Sequence, residues 1–168
     1  RELAEIDGLE RIRYMTSHPR DVHQELIDVH REVGKLMPYL HLPVQSGSDK
    51  ILKAMNRKHT VADYLEILAR FREACPDLVF SSDFIAGYPG ESEEDFQATL
   101  NLVSQVQYAQ AYSFRYSPRP GTPAARMPQV DRKTVKDRAE RLRLASAERK
   151  SRWLESLVGT SQKVLIEL

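Results

Sequence analysis

SSDFIAGYPGESEEDF, residues 81–96, decides the fold. Residues 78–86 read as a strand whose apolar end, Phe84-Ile85-Ala86, breaks off into Gly87-Tyr88-Pro89-Gly90. Pro89 presets φ for a tight turn and Gly90 accepts a positive φ. Ser92 then caps a helix that opens on acidic residues and runs to about residue 107, with Phe96, Leu100 and Val103 on its buried side. A strand, a bare turn and a helix in that order are the unit of a parallel α/β sheet.

Working outward, the unit recurs. Residues 11–15 (RIRYM) and 39–45 (YLHLPVQ) read as strands before it, and 111–116 as a strand after it. Helices are predicted over 21–35, 51–55 with Ser48 or Asp49 as its cap, and 61–74. Thr60 and Asp63 form a capping box for the third, and Pro76 stops it. A last helix spans 131–157, and 163–168 (KVLIEL) reads as a strand that starts something new after Gly159. Strand and helix alternate four times, which predicts a parallel sheet or barrel.

Composition sets outer limits. Hydrophobic residues make up 41% and charged residues 29% of the 168, as in a soluble globular protein. No apolar run approaches the ~20 residues of a membrane span, and no signal-peptide pattern is present, so a cytoplasmic location without membrane partners is expected. The single cysteine, Cys75, excludes an internal disulfide and reads as a packing residue before Pro76. Net charge is only +1, yet residues 131–152 hold nine Lys or Arg against four Asp or Glu. That helix faces either solvent or RNA phosphates.

In parallel α/β folds, sites form at the carboxyl ends of strands. Four polar or Gly/Pro-rich loops would meet there: 16–19, 45–49, 87–91 and 115–121. In the quoted stretch, Gly87 leaves room for a ligand against the backbone, Ile85 offers an apolar face, and Asp83 a carboxylate for ribose hydroxyls. That equips the turn for an adenosine; a plain strand-to-helix connection needs the same glycines. The turn is neither GxGxxG nor a P-loop. The five histidines show no metal-binding spacing. His23 and His30 read as the solvated side of their helix, whereas His18 lies in a rim loop within reach of a substrate.

Four phrases in order, RIRYMTSHP, LHLPVQSGSDKILKAMNRKHT, SSDFIAGYPGESEEDF and YSPRPGTPAA, closely resemble the radical-SAM methylthiotransferases, in particular the MiaB branch. The resemblance implies an open (β/α) barrel of six parallel strands, of which these would be the last four. It implies S-adenosylmethionine (SAM) held by Gln45, Ser46, Asp83, Ile85, Gly87 and Arg115, and substrate contacts from Thr16, Ser17, His18 and Arg119. The implied reaction adds a methylthio group to carbon 2 of isopentenylated adenosine beside the anticodon. Its partners are the tRNA anticodon stem-loop and an electron donor, and its cofactors are SAM and two 4Fe–4S clusters. The threonylcarbamoyl-adenosine branch is the nearest alternative, and a non-catalytic RNA- or SAM-binding module is another.

The family holds its clusters with CxxxCxxC and three further cysteines, and cluster iron needs such thiolates. Cys75 matches none of them. The expectation is therefore a chain that begins inside the barrel and is inactive alone. Residues 1–158 would form the carboxyl-terminal part of the radical-SAM domain, and 159–168 would open a truncated TRAM-like RNA-binding domain. An unpaired edge at 11–15 predicts marginal stability or association.

Overall fold

The computed structural model describes residues 1–15, 18–162 and 164. Three parallel strands, β1 (Tyr39–His41), β2 (Val79–Ala86) and β3 (Gln110–Arg115), lie in the order β1-β2-β3. The helices are α1 (Gln24–Glu32), α2 (Asp49–Ala54), α3 (Val61–Ala74), α4 (Glu93–Val106) and α5 (Arg132–Ser156). Helices α2 and α3 carry the chain from β1 to β2, and α4 carries it from β2 to β3. The predicted strand at 163–168 falls on residues of which all but 164 lie outside the description.

Helix starts follow local chemistry. Thr60 and Asp63 form a reciprocal capping box at α3, and Ser92 and Asp95 form another at α4. Ser48 caps α2, and its hydroxyl also donates to Asp95 Oδ1 at 2.7 Å, which joins two helix starts at one end of the sheet. Lys50 reaches the other oxygen of Asp95 at 2.5 Å. Burial opposes ionisation of Asp95, but the Lys50, Ser92 and Ser48 bonds prevail and hold its carboxyl well below the ordinary range.

The strand predicted at 11–15 is reduced to one bridging residue. Ile12 bridges Leu36, accepting from Met37 N at 2.9 Å and donating to Lys35 O at 2.7 Å. Tyr39 N, which would continue the ladder, instead turns back to Met37 O at 2.7 Å. The sheet therefore has three strands where four were expected. The strand expected at 39–45 is interrupted in the same way just after Pro43. β1 ends at His41, Val44 N turns to the Ser82 hydroxyl at 3.0 Å, and pairing resumes as a bridge between Gln45 and Phe84.

One face of the sheet carries the core. Leu40, Phe80, Phe84, Ala86 and Ala111 pack against Ile27, Tyr64, Leu68 and Phe71, and against Phe96, Val103, Val106 and Leu142. His30 belongs to this interior. It is buried edge-on to Phe71 with Nε2 2.8 Å from the Tyr14 hydroxyl, so the solvated face expected for it is corrected; His23 does lie exposed at the start of α1. Side chains alternate across a strand, so Tyr39, His41, Ser81, Asp83, Ile85, Tyr112 and Phe114 share the opposite face. There Tyr112 and Phe114 stand 45% and 51% exposed. No helix among the described residues is long and apolar enough to cross a membrane.

Candidate functional site

The turn after β2 is bare for a reason other than the one expected. Gly87 has φ +78°, and a Cβ there would come within 3.0 Å of Val135 Cγ1 and closer still to Cγ2. The space beside Gly87 is thus filled by α5. Glu91, at the far end of the turn, folds back so that its Oε2 accepts from Gly87 N at 2.8 Å and from Arg138 Nη1 at 2.9 Å. Arg138 also donates to the Glu91 carbonyl at 3.0 Å. Burial pushes the Glu91 carboxyl up, against the pull of the Gly87 amide and Arg138.

Above the carboxyl end of the sheet lies a cavity of about 450 Å³. Ile85, Met55, Tyr88 and Ala124 give it apolar walls; Gln45, Asn56, Arg57, Tyr116, Ser117 and Arg119 bring polar groups. Gln45 and Asn56 both hold positive φ, 79° and 59°. Asn tolerates that region better than most residues, and at the end of α2 it turns the chain so that Arg57 meets the cavity. Tyr88 and Tyr116 stack edge to face at 5.2 Å, and Tyr88 is tied by its hydroxyl to Ala54 O at 2.9 Å. The buried Tyr116 hydroxyl has no hydrogen-bond partner among the described residues. A buried hydroxyl left so is costly unless something else satisfies it.

Of the residues expected to bind, Gln45, Ile85 and Arg119 line this cavity. Asp83 lies one pleat below Ile85 on the same face, and its charge acts on the half-buried Arg57 guanidinium. Ser46 does not reach the cavity. It is fully buried, with its hydroxyl 3.4 Å from Thr99 Oγ1 and accepting from Ser48 N at 3.2 Å. Arg115 pairs in register with Ala86 and so shares the helix-covered face, away from Ile85. Thr16 and Ser17 lie outside the described residues. His18 accepts from Arg20 N at 3.2 Å and meets His59 edge-on at 5.3 Å. Burial, then Arg57, lower the His18 imidazole. His59 is buried with neither ring nitrogen bonded. Burial, with the charge of His18 and Arg57, pulls it down to about 4.

Arg57 was not expected here, although Asn56 at a helix end is its signal, and Tyr116 was placed in the rim loop 115–121 without a role of its own. Also unforeseen is a line of polar side chains on the open face. The Tyr39 hydroxyl lies 2.5 Å from Ser81 Oγ, Ser81 Oγ 2.7 Å from His41 Nδ1, and His41 Nε2 3.5 Å from Asp83 Oδ2.

The basic run on α5 is largely engaged. Arg138 serves Glu91, Arg141 binds Glu93 at 2.7 Å, Arg143 pairs with Glu140, Arg152 with Glu148, and Arg149 donates to Ser104. Among the described residues no cluster of three His, Cys, Asp or Glu is placed to hold a metal. Cys75 ends α3, at the opposite end of the sheet from the cavity.

Comparison with known proteins places this geometry. The chain is 58% identical over 168 residues to the tRNA-2-methylthio-N(6)-dimethylallyladenosine synthase of Jannaschia sp. (strain CCS1), covering 99% of this chain and 36% of that protein. It is 55% identical over 166 residues to the synthase of the same name from Bartonella bacilliformis, covering 98% and 36%. The chain thus spans little more than a third of the length of these curated relatives. Among solved structures, coproporphyrinogen III oxidase (HemN) from Escherichia coli superposes with a TM-score of 0.65 at 20% identity, over 80% of this chain and 31% of that one. That likeness speaks for the fold alone. The radical SAM superfamily model matches residues 1–103, and with the parallel sheet and the cavity at its carboxyl end, the chain belongs to the radical SAM superfamily.

Proposed function

We propose that this chain supplies the SAM-facing and substrate-facing walls of a tRNA methylthiotransferase acting on carbon 2 of isopentenylated adenosine. The observation that carries this reading is the 58% identity, over 99% of this chain, with a tRNA-2-methylthio-N(6)-dimethylallyladenosine synthase. The sheet and the Ile12 bridge would form the later part of a six-strand barrel, with residues 1–158 in the radical-SAM domain and 159–168 opening a TRAM-like domain. The tRNA anticodon stem-loop and an electron donor are the partners that go with this reading.

The cavity fits an adenosyl group. Its apolar walls suit a purine, the orphaned Tyr116 hydroxyl and Gln45 offer hydrogen bonds, and Asp83 is near for a ribose diol. When bound, SAM supplies the reactive carbon and the methyl group. This chain's residues orient it: Ile85 and the Tyr88–Tyr116 pair wall off water, and Arg57 or Arg119 meets a carboxylate or phosphate. The residues present do not fit a 4Fe–4S cluster, because Cys75 stands alone and far from the cavity.

The test is made with the complete gene product, expressed in a strain whose tRNA carries isopentenyladenosine without the methylthio group. Mass spectrometry of tRNA nucleosides is expected to show the methylthio form restored, and Asp83→Ala to abolish it. A folded, SAM-binding product that leaves this nucleoside unchanged overturns the reading. Modification of threonylcarbamoyl-adenosine instead would assign the sister branch.

A further inference from the structure

We infer that His41 is a positioning residue for Asp83, and that the Tyr39–Ser81–His41 line fixes which ring nitrogen faces the carboxylate. The inference rests on the reading of Asp83 as the partner of a ribose diol.

Both hydroxyls of the line can donate or accept, and we take the direction that gives the carboxylate a donor. In that direction the Tyr39 hydroxyl donates to Ser81 Oγ across 2.5 Å, and Ser81 in turn donates to His41 Nδ1 across 2.7 Å. An imidazole that accepts at Nδ1 carries its proton at Nε2. That N–H points to Asp83 Oδ2 at 3.5 Å, longer than the ~2.9 Å of a formed N–H···O bond. At this length the contact is electrostatic, and a small carboxylate rotation converts it to a hydrogen bond. The rest of the line is anchored. Arg13 lies over the Tyr39 ring at 4.6 Å, and Tyr112 meets the His41 ring edge-on at 6.1 Å. All three polar residues sit below Asp83 on the open face, so His41 approaches the carboxylate from beneath while Arg57 acts on it electrostatically. Once the bond from His41 closes, one oxygen is held and the other is left for a vicinal diol.

Amide substitutions separate positioning from packing. A glutamine amide nitrogen reaches about where imidazole Nε2 sits, and an asparagine amide only about where Nδ1 sits. The complete gene product is titrated with S-adenosylhomocysteine, which carries the ribose and is not cleaved. Asp83→Asn is expected to weaken binding, which tests the underlying reading. His41→Gln is expected to bind within about twofold of the parent, and His41→Asn roughly tenfold more weakly, the loss of one hydrogen bond to a charged group. Tyr39→Phe, which keeps the ring, is expected to fall between them.

If Asp83→Asn binds like the parent, the ribose reading fails and the inference with it. If Asp83→Asn weakens binding but the His41 variants match the parent, the inference fails and the reading stands. Equal loss in His41→Gln and His41→Asn also overturns it, because that is the result of damaged packing. Should His41→Asn not fold, Tyr39→Phe decides alone, and parental affinity there sinks the proposal.

Discussion

At the scale of single residues, Gly87 shows how a motif position is fixed from behind. Gly87→Ala would carry a methyl into Val135 and hold an alanine at φ +78°. The expected cost is about 2 kcal/mol or more in a denaturant titration. Adding Val135→Ala should relieve the collision but not the backbone strain, so recovery must be partial; complete recovery would show that φ is not the constraint. His59 makes a second prediction. Its folded-state pKa of about 4 lies below the ordinary 6.5, so on acidification the unfolded chain takes up the proton first. Stability from this group is full above about pH 6.5 and falls as the pH drops towards 4, by about 3 kcal/mol. A His59→Phe protein should lose that slope in melting temperature against pH. An unchanged slope would place the titrating group elsewhere.

At the scale of elements, helix α5 is held to the β2 turn by a buried ion pair. Arg138→Met leaves the Glu91 carboxylate buried without its cation, at an expected cost of about 3 kcal/mol at neutral pH. Glu91 already titrates above its ordinary value, and losing Arg138 raises it further. A carboxyl raised in the folded state binds protons that the unfolded chain does not, so folding gains as the pH falls through that window. The deficit of Arg138→Met should therefore shrink between pH 7 and pH 5, and adding Glu91→Gln should remove most of it at pH 7. A deficit independent of pH would point to lost packing on Phe96, over which the Arg138 guanidinium lies at 5.6 Å.

The same elements show what the sequence disclosed. The capping box at α3 and the Ser92 cap of α4 are legible because their partners lie three residues apart, though the reciprocal bond from Asp95 was not expected, and the expected α3 ends on its last residue. The quoted turn was legible as a turn, but the cause of Gly87 lies 48 positions further on, at Val135. Residues 11–15 have the composition of a strand, and only their pairing, cut short where Tyr39 N turns back to Met37, shows that one residue bridges. Arg115 was placed at the cavity by position along its strand; the pleat puts it on the other face. Ser46 was read as a rim residue, yet its hydroxyl is committed to Thr99, a helix away. Apart from the face of Arg115, which follows from alternation along its own strand, long-range partners decided each of these, and periodicity within a segment does not encode them.

At the scale of the whole molecule, the sheet is packed on one face and shows aromatic side chains on the other. Tyr112 and Phe114 stand open there, and Met15 is 80% exposed beside the single-bridge edge. Exposed apolar area of this kind favours association. The isolated chain is expected to self-associate in sedimentation velocity, with an average mass that rises with concentration. Replacing Tyr112 and Phe114 together by Ser should lower it. A concentration-independent monomer for the parent chain would count against that expectation.

The contact of Val135 and Arg138 with the turn at 87–91 also bears on how this chain can be recombined with its relatives. Gly87 and Glu91 lie on one side of the proline-rich loop at 117–130, and Val135 and Arg138 on the other. A crossover placed in that loop, which looks like a natural seam, would separate a glycine from the valine that fills its space and an acid from the buried base that pairs with it. Crossovers before residue 80 or after 146 keep the four together. The seam of this molecule runs along helix α5, not through its proline-rich loop.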